Sequence, residues 1–188
     1  MAKCFEAKKS KAGNEIKCGR CQAVIQPGDK YFYFAVGFRG AKQIRCKDHH
    51  PRQSELTGSK MSSAYAANES LEDRIAEEKI TIEDIAVALE ETASDIESVR
   101  DEYQESFDNL PQGFQEGDQG SNIQEKIDGL TEYVDTLNNA AQEVRGLEES
   151  STDSDVPEDS EADSPAEDDD LLEQARDLAE NVMGEFSL

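Results

Sequence analysis

Four side chains with metal-ligand chemistry fall in two pairs along this 188-residue chain: Cys18-Gly-Arg-Cys21 and Cys46-Lys-Asp-His49. In each pair the ligands stand at i and i+3, a spacing at which one tight turn points both side chains at a single ion. Three thiolates and one imidazole make a closed tetrahedral set whose natural occupant is Zn²⁺. With all four positions taken by protein there is no place for a reactive water, so the implied metal is structural rather than catalytic. Two assignments stay open in the sequence. His50 could stand in for His49, and Cys4 is either a free thiol or a replacement for the histidine.

Something must hold the two pairs together, and the stretch between them reads as a β-hairpin. Gln26-Pro-Gly-Asp29 is turn chemistry, because proline pre-sets φ and glycine accepts positive φ. Lys30-Tyr-Phe-Tyr-Phe-Ala-Val-Gly-Phe38 is aromatic and β-branched, as strands are. Arg39-Gly40 turns the chain, and Ala41 to Arg45 returns to deliver Cys46. Cys4 to Ala7 can add a further short strand. This is the layout of a treble-clef or zinc-ribbon module. A unit of about 60 residues buries too little apolar surface to stand without a staple, so the metal is expected to dominate its stability.

Charge divides the chain. Residues 1–60 carry 13 Lys/Arg against 5 Asp/Glu, a net +8; residues 61–188 carry 6 against 38, a net −32. The basic candidates for phosphate or an acidic partner are Lys8, Lys9, Lys11, Arg20, Arg39, Lys42, Arg45, Lys47 and Arg52. The plain alternative for the lysines is a solvated face. The acidic remainder repels nucleic acid and suits a basic protein surface. No apolar run is long enough to cross a bilayer, and the N-terminus lacks the apolar core of a signal peptide. Cysteines in metal-ligand spacing fit a reducing compartment, so a cytoplasmic, membrane-free location is expected.

The rest of the chain reads as helix. Pro51 opens a short helical stretch, and from Lys60 the pattern Met61, Ala64, Tyr65, Leu71, Ile75 is helical. Ile75, Ile82, Leu89, Ile96 and Tyr103 recur every seven residues, with Ile85, Thr92 and Val99 between them, which is a coiled-coil-like seam. Thr81 with Asp84 is placed to cap a helix. A connector rich in Gly and Pro spans 109–120. Ser121 with Gln124 then predicts a second capping box, ahead of the run Ile123, Ile127, Leu130, Val134, Leu137, Ala141, Val144, which Gly146 is expected to end. The two helices would be about 40 Å and 37 Å long at ~1.5 Å per residue. An antiparallel hairpin follows, its seam half covered unless it meets the head, a partner or a second copy. Residues 148–168 are expected to form a disordered acidic linker. Residues 169–188 carry Leu171, Leu172, Leu178, Val182 and Met183 on one face of a short helix, stopped at Gly184. That helix either docks in a partner's groove or folds back on the hairpin. The fold class is thus α+β: a zinc-stapled head (1–60), a helical hairpin (61–147), a linker (148–168) and a terminal helix (169–188).

Gly28-Asp-Lys-Tyr-Phe-Tyr-Phe, Gln43-Ile-Arg-Cys and Pro51-Arg-Gln-Ser-Glu-Leu-Thr-Gly-Ser-Lys-Met resemble stretches of a group of small zinc-binding proteins of tailed bacteriophages. Tyr103-Gln-Glu-Ser, Leu110-Pro-Gln-Gly and Ile123-Gln-Glu-Lys-Ile-Asp-Gly-Leu are similar to the same group, so the resemblance covers about residues 3–145. It departs at Gln53, where the group tends to proline, and in the acidic tail. What it implies is a phage setting, with no activity attached. The finger also resembles, more distantly, the PARP-type zinc finger, in which the histidine precedes the last cysteine. Here Cys46 precedes His49, which sets nicked-DNA recognition aside.

No glycine-rich phosphate loop, nucleophile motif or internal repeat stands out. Asp48-His49-His50-Pro51 is similar to the catalytic stretch of zinc-stapled HNH nucleases, one residue short of its spacing to proline. With two histidines in the chain, a ligating one leaves a single imidazole for base and metal duties. The expectation is therefore a non-enzymatic adaptor or regulator. It would bind a host or phage protein, with nucleic acid as a second partner for the head and self-association through the hairpin. The alternatives are an acidic DNA mimic that inhibits a DNA-binding protein, and a small HNH-like nuclease.

Overall fold

The alternation of apolar residues in the first third and their 3/4 spacing thereafter resolve, in a computed structural model, into an α+β chain. Residues 2–9, 15–37, 40–152 and 165–186 are described here, with 148–152 and 165–168 as backbone. These residues form a small antiparallel sheet, a two-stranded ribbon and six helices. The chain divides into two compact units between Ala66 and Ala67.

In the first unit the strands are β1 (Phe5–Lys8), β2 (Ile16–Lys17), β3 (Val24–Ile25), β4 (Lys30–Phe34) and β5 (Gln43–Cys46), followed by α1 (Gln53–Leu56). The sheet order is β1-β4-β5, with β2 and β3 forming the ribbon. Phe5 lies opposite Tyr33, and Tyr31 opposite Cys46. The expected turn is present: Asp29 N donates to Gln26 O at 3.0 Å, the Asp29 carboxylate accepts from Gln26 N at 2.9 Å, and Gly28 takes φ +95°. Ile25, Phe34, Arg45 and Cys18 are buried among the strands and the first turn, and Pro51, Met61, Ala64 and Tyr65 are the other buried residues described in the unit, a small core for some 66 residues.

The helix α2 (Met61–Ile75) runs across the division. The second unit continues with α3 (Ile82–Asp108), α4 (Gln112–Gln115), α5 (Asp118–Thr152) and α6 (Pro165–Glu185). Thr81 caps α3 as expected. Its hydroxyl accepts from Asp84 N and its own N–H donates to the Asp84 carboxylate, both at 3.1 Å. The Thr81 hydroxyl also donates to the Asp84 carboxylate at 2.6 Å, and that bond, with the one from the Thr81 N–H, holds the carboxyl below its ordinary value. α3 and α5 pack side by side and run antiparallel: Arg145 near the end of α5 pairs with Glu90 and Glu83 at the start of α3. Ile85, Leu89, Ile96, Leu130, Leu137 and Val144 are fully buried in the unit. Thr92, the polar member of the α3 seam, donates to Ala88 O at 2.8 Å, so its burial leaves no donor unmet.

Three expected helix ends differ from those observed. Ser121 is not an N-cap: α5 begins at Asp118, and Ser121 N already donates to Gly117 O at 3.0 Å. The connector supplies the reason. Gln115 Nε2 donates to Phe107 O and Leu110 O, closing the carbonyl end of α3. Gly120 lies so close to the Gln115 backbone that a Cβ there would collide with it. Gly146 and Gly184 do not stop their helices, which run on to Thr152 and Glu185. An exposed helical glycine costs only about 1 kcal/mol relative to alanine, which long flanking segments absorb. Of the linker expected over 148–168, residues 148–152 continue α5 and 165–168 open α6, and 153–164 lie outside the described residues.

Candidate metal centre

The first ligand pair sits on the turn of the β2–β3 ribbon, where Ile16 pairs with Ile25 and Lys17 with Val24. Cys18 N donates to Ala23 O at 3.0 Å and Gln22 N to Cys18 O at 2.9 Å, which fold the turn over the cysteine. Gln22 pays for that tightness with a left-handed φ of +61°. Gly19 N donates to Ile44 O at 2.8 Å, tying the turn to β5, and a Cβ at Gly19 would strike the Arg45 guanidinium. The glycine inside the first pair is therefore a close-approach residue. The second pair straddles the end of β5, with His49 N donating to Cys46 O at 3.1 Å.

These two turns bring Cys18, Cys21, Cys46 and His49 together, with one ligand atom from each lying within 4.8 Å of all the others. Cys46 Sγ stands 3.1 Å and Cys18 Sγ 3.8 Å from His49 Nδ1, and Cys21 Sγ lies 3.9 Å from Cys46 Sγ. A tetrahedral ion at thiolate distances of about 2.3 Å spans S···S edges of about 3.8 Å and S···N edges of about 3.5 Å. The four residues are thus close enough to hold one metal ion.

The electrostatics fit a cation. Cys18 is fully buried, which pushes its thiol up. N–H groups of Cys21, Cys46 and Arg20 outweigh that and bring it down to about 6. The Arg20 N–H lies 3.4 Å from Cys18 Sγ. The Cys46 thiol is pushed up, by burial and by its neighbours Cys18 and Cys21, against the pull of the Asp48 N–H. Thiolates this close oppose one another's ionisation, and a bound cation removes that opposition.

The open assignments resolve by position. His50 turns away from the thiols and packs its ring on Phe32 at 4.4 Å. Cys4 is half-buried, its thiol pushed up by burial, and stands outside the four-residue group.

The basic candidates do not form one set. Arg45 is a correction: it is 8% exposed and turned inward, against the Phe34 ring. Its Nε donates to Glu55 Oε1 at 3.0 Å and its Nη1 to Ile44 O at 2.9 Å, and a short ion pair with Glu55 completes its bonding. It is therefore part of the frame and not a surface contact. Arg52 is half-buried, its backbone N–H donated to Glu55 at 3.1 Å. Lys8, Arg20, Lys42 and Lys47 are exposed and Lys9 is half-buried, while Lys11 and Arg39 lie outside the described residues. Sequence reasoning missed Glu55, whose only signal was an acid ten residues after an arginine on a strand.

The terminal helix takes the fold-back arrangement. α6 packs on α3 and α5, with Ala175 and Ala179 fully buried and Val182 buried. Leu171, Leu172, Leu178 and Met183 are half-buried on the same helix. The Phe186 ring packs tilted against Tyr133, centroids 4.5 Å apart, and the Tyr133 hydroxyl donates to Asn68 Oδ1 at 2.5 Å. Burial and the Glu185 charge push the Tyr133 phenol up.

Fold and site together define an α+β chain with a four-ligand Cys₃His candidate metal centre. No protein-family model matches the chain, and no curated protein and no solved structure does either. No helix among the described residues is long and apolar enough to cross a membrane.

Proposed function

We propose that this chain is a non-enzymatic, phage-encoded adaptor whose basic head is stapled by structural Zn²⁺ and which binds a macromolecular partner in the host cytoplasm. The convergence of Cys18, Cys21, Cys46 and His49 from two turns carries the reading, since four ligands close a tetrahedral shell. Zn²⁺ suits three thiolates and an imidazole better than Mg²⁺ or Ca²⁺, which take oxygen ligands. The metal's role is to order a small unit of net +8, opposite in sign to the coiled-coil-like body that follows.

A competing reading is an acidic DNA mimic. Glu83, Glu91, Asp95, Asp101, Glu102 and Glu105 are exposed along α3 as an irregular acidic row, in which Glu83, Glu91 and Asp101 pair with Arg145, Arg74 and Arg100. One experiment separates the two. Full-length protein, its zinc content measured, is used to capture partners from host lysate at low and high salt, beside Cys18→Ser. The adaptor reading expects about one Zn²⁺ per chain and one stoichiometric protein partner that the Cys18→Ser variant loses. A partner that Cys18→Ser retains at low salt and loses at high salt, itself a DNA-binding protein, means the acidic row is the working surface.

A further inference from the structure

The two faces of the three-stranded sheet differ in a way that the metal site does not explain. Phe5, Ala7, Tyr31, Tyr33, Ile44 and Cys46 alternate onto one face, a set without a carboxylate. Phe5 on the edge strand stacks on Tyr33 with ring centroids 5.3 Å apart and planes 21° apart. Tyr31 follows at 6.1 Å from Tyr33. Lys42 places its ammonium 4.0 Å from the centre of the Tyr33 ring and 5.8 Å from that of Tyr31. Phe5, at the outer end of this row, is 49% exposed, one of three large hydrophobic side chains so exposed among the described residues. The acid on β1, Glu6, belongs to the other face and is paired with Lys30 at 2.8 Å.

Because Phe5 extends the Tyr33–Tyr31 row to the edge strand, its exposed ring belongs to an aromatic patch and is not a lone surface hydrophobe. Charge complementarity chooses among the candidates. A row of aromatic rings with a lysine over it, free of acids, on a unit of net +8, matches a ligand with flat π-faces and regularly spaced negative charge. Single-stranded nucleic acid has both: bases stack on rings while phosphates meet ammonium groups. A duplex hides its base faces and offers this sheet only its phosphates.

We propose that the Phe5–Tyr33–Tyr31 face with Lys42 is a stacking platform for a short single-stranded DNA or RNA segment. A base extends the stack on Phe5, and Lys42 takes an adjacent phosphate. This rests on the reading of the head as the basic binding module and names the ligand class for it. The row accommodates about two bases, as sheet platforms of this kind do.

The test uses the full-length zinc-loaded chain and fluorescein-labelled 15-nucleotide oligo(dT), oligo(rU) and a 15-base-pair duplex, followed by anisotropy at 50 and 150 mM salt. The expected result is binding of the single strands in preference to the duplex. Phe5→Ala and Phe5→Leu should both weaken it, by about 5- to 100-fold for a lost base stack. Lys42→Ala should flatten the salt dependence, and Phe114→Ala, a somewhat more exposed ring in the other unit, should change nothing. Because the chain has no tryptophan, tyrosine emission gives a second readout and should be quenched by the strand. Unchanged circular dichroism and zinc content in the Phe5 variants separate a lost contact from a lost fold. Equal affinity for duplex and single strand, indifference to Phe5→Leu, or no binding at 50 mM salt overturns the platform. If strands do not bind but a captured protein partner is lost with Phe5→Leu, the face serves protein and the adaptor reading stands without the platform. One Zn²⁺ per chain with neither ligand leaves the metal centre intact and overturns both binding roles.

Discussion

The two units of this chain reach order by opposite means. In the first, a few strands of two to five residues bury little, and four ligand atoms converge from two turns, with Cys18 buried and Cys21 exposed. In the second, Leu89, Ile96, Leu130, Leu137 and Val144 are fully removed from water along two long helices, and no cluster of metal-ligating residues occurs among its described residues. With the proposed ion bound, coordination would concentrate the stabilising energy at one point, whereas burial spreads it over many. One unit should therefore fail at a single atom, while the other should fail by degrees.

Metal removal draws the sharpest line between them. Stripping the ion with a chelator, or Cys18→Ala, should unfold the first unit, because a structural zinc centre contributes about 10–16 kcal/mol of apparent binding energy at neutral pH. Helical ellipticity at 222 nm should persist, since the long helices α3, α5 and α6 lie in the second unit. Amide resonances of residues 2–66 should collapse to random-coil shifts. Loss of both signals together would show that the units are not independent.

Leu89→Ala probes the other side. A fully buried leucine in the hairpin core should cost about 2–5 kcal/mol, read as a lower urea midpoint of the helical transition with zinc content unchanged. A fall in zinc content in this variant would break the contrast from the opposite direction.

The smallest expected effect lies in the frame of the metal unit. Burial pushes the Glu55 carboxyl up, but the hydrogen bond from Arg45, the Arg52 N–H and the Arg45 charge bring it below its ordinary value of 4.5. A carboxyl so lowered adds stability that is complete above the unfolded value and is lost as pH falls through the folded one. Glu55→Gln should cost about 1–3 kcal/mol near neutral pH, since Arg45 is left buried with a weaker partner. The gap between wild type and variant should close as pH falls below 4.5. A gap independent of pH would mean that the carboxylate charge is not what holds Arg45.

Much of this was legible in the residues themselves. Paired i, i+3 ligands announced the centre, because turn geometry is local and thiolate chemistry is selective. The α3 and α5 seams were legible for a similar reason: a 3/4 spacing has one structural meaning over seven turns. What escaped was decided by contacts between distant residues. Nothing local separates His49 from His50, which differ in whether the ring meets three thiols or Phe32. Arg45 read as a surface cation because its partner, Glu55, comes from another element. The start of α5 was misplaced because Ser121 and Gln124 form a good local cap, while Gln115 and Gly120 settle the connector in a different way.

The reach of the last helix has a consequence for the order of events during synthesis. Arg176 Nη2 donates to the carbonyl of Glu77, 99 residues earlier, and Phe186 closes over Tyr133. The first unit has its ligands and its most distant described bond, Ala2 N to Leu56 O, once about 60 residues have left the ribosome. The second must wait for about 120 more, some 6–24 s at ~5–20 residues per second. Through that interval the chain is a closed, cationic front end trailing an anionic hairpin whose seam is not yet covered. Like charge on that unit then opposes contact between the uncovered seams of two nascent copies.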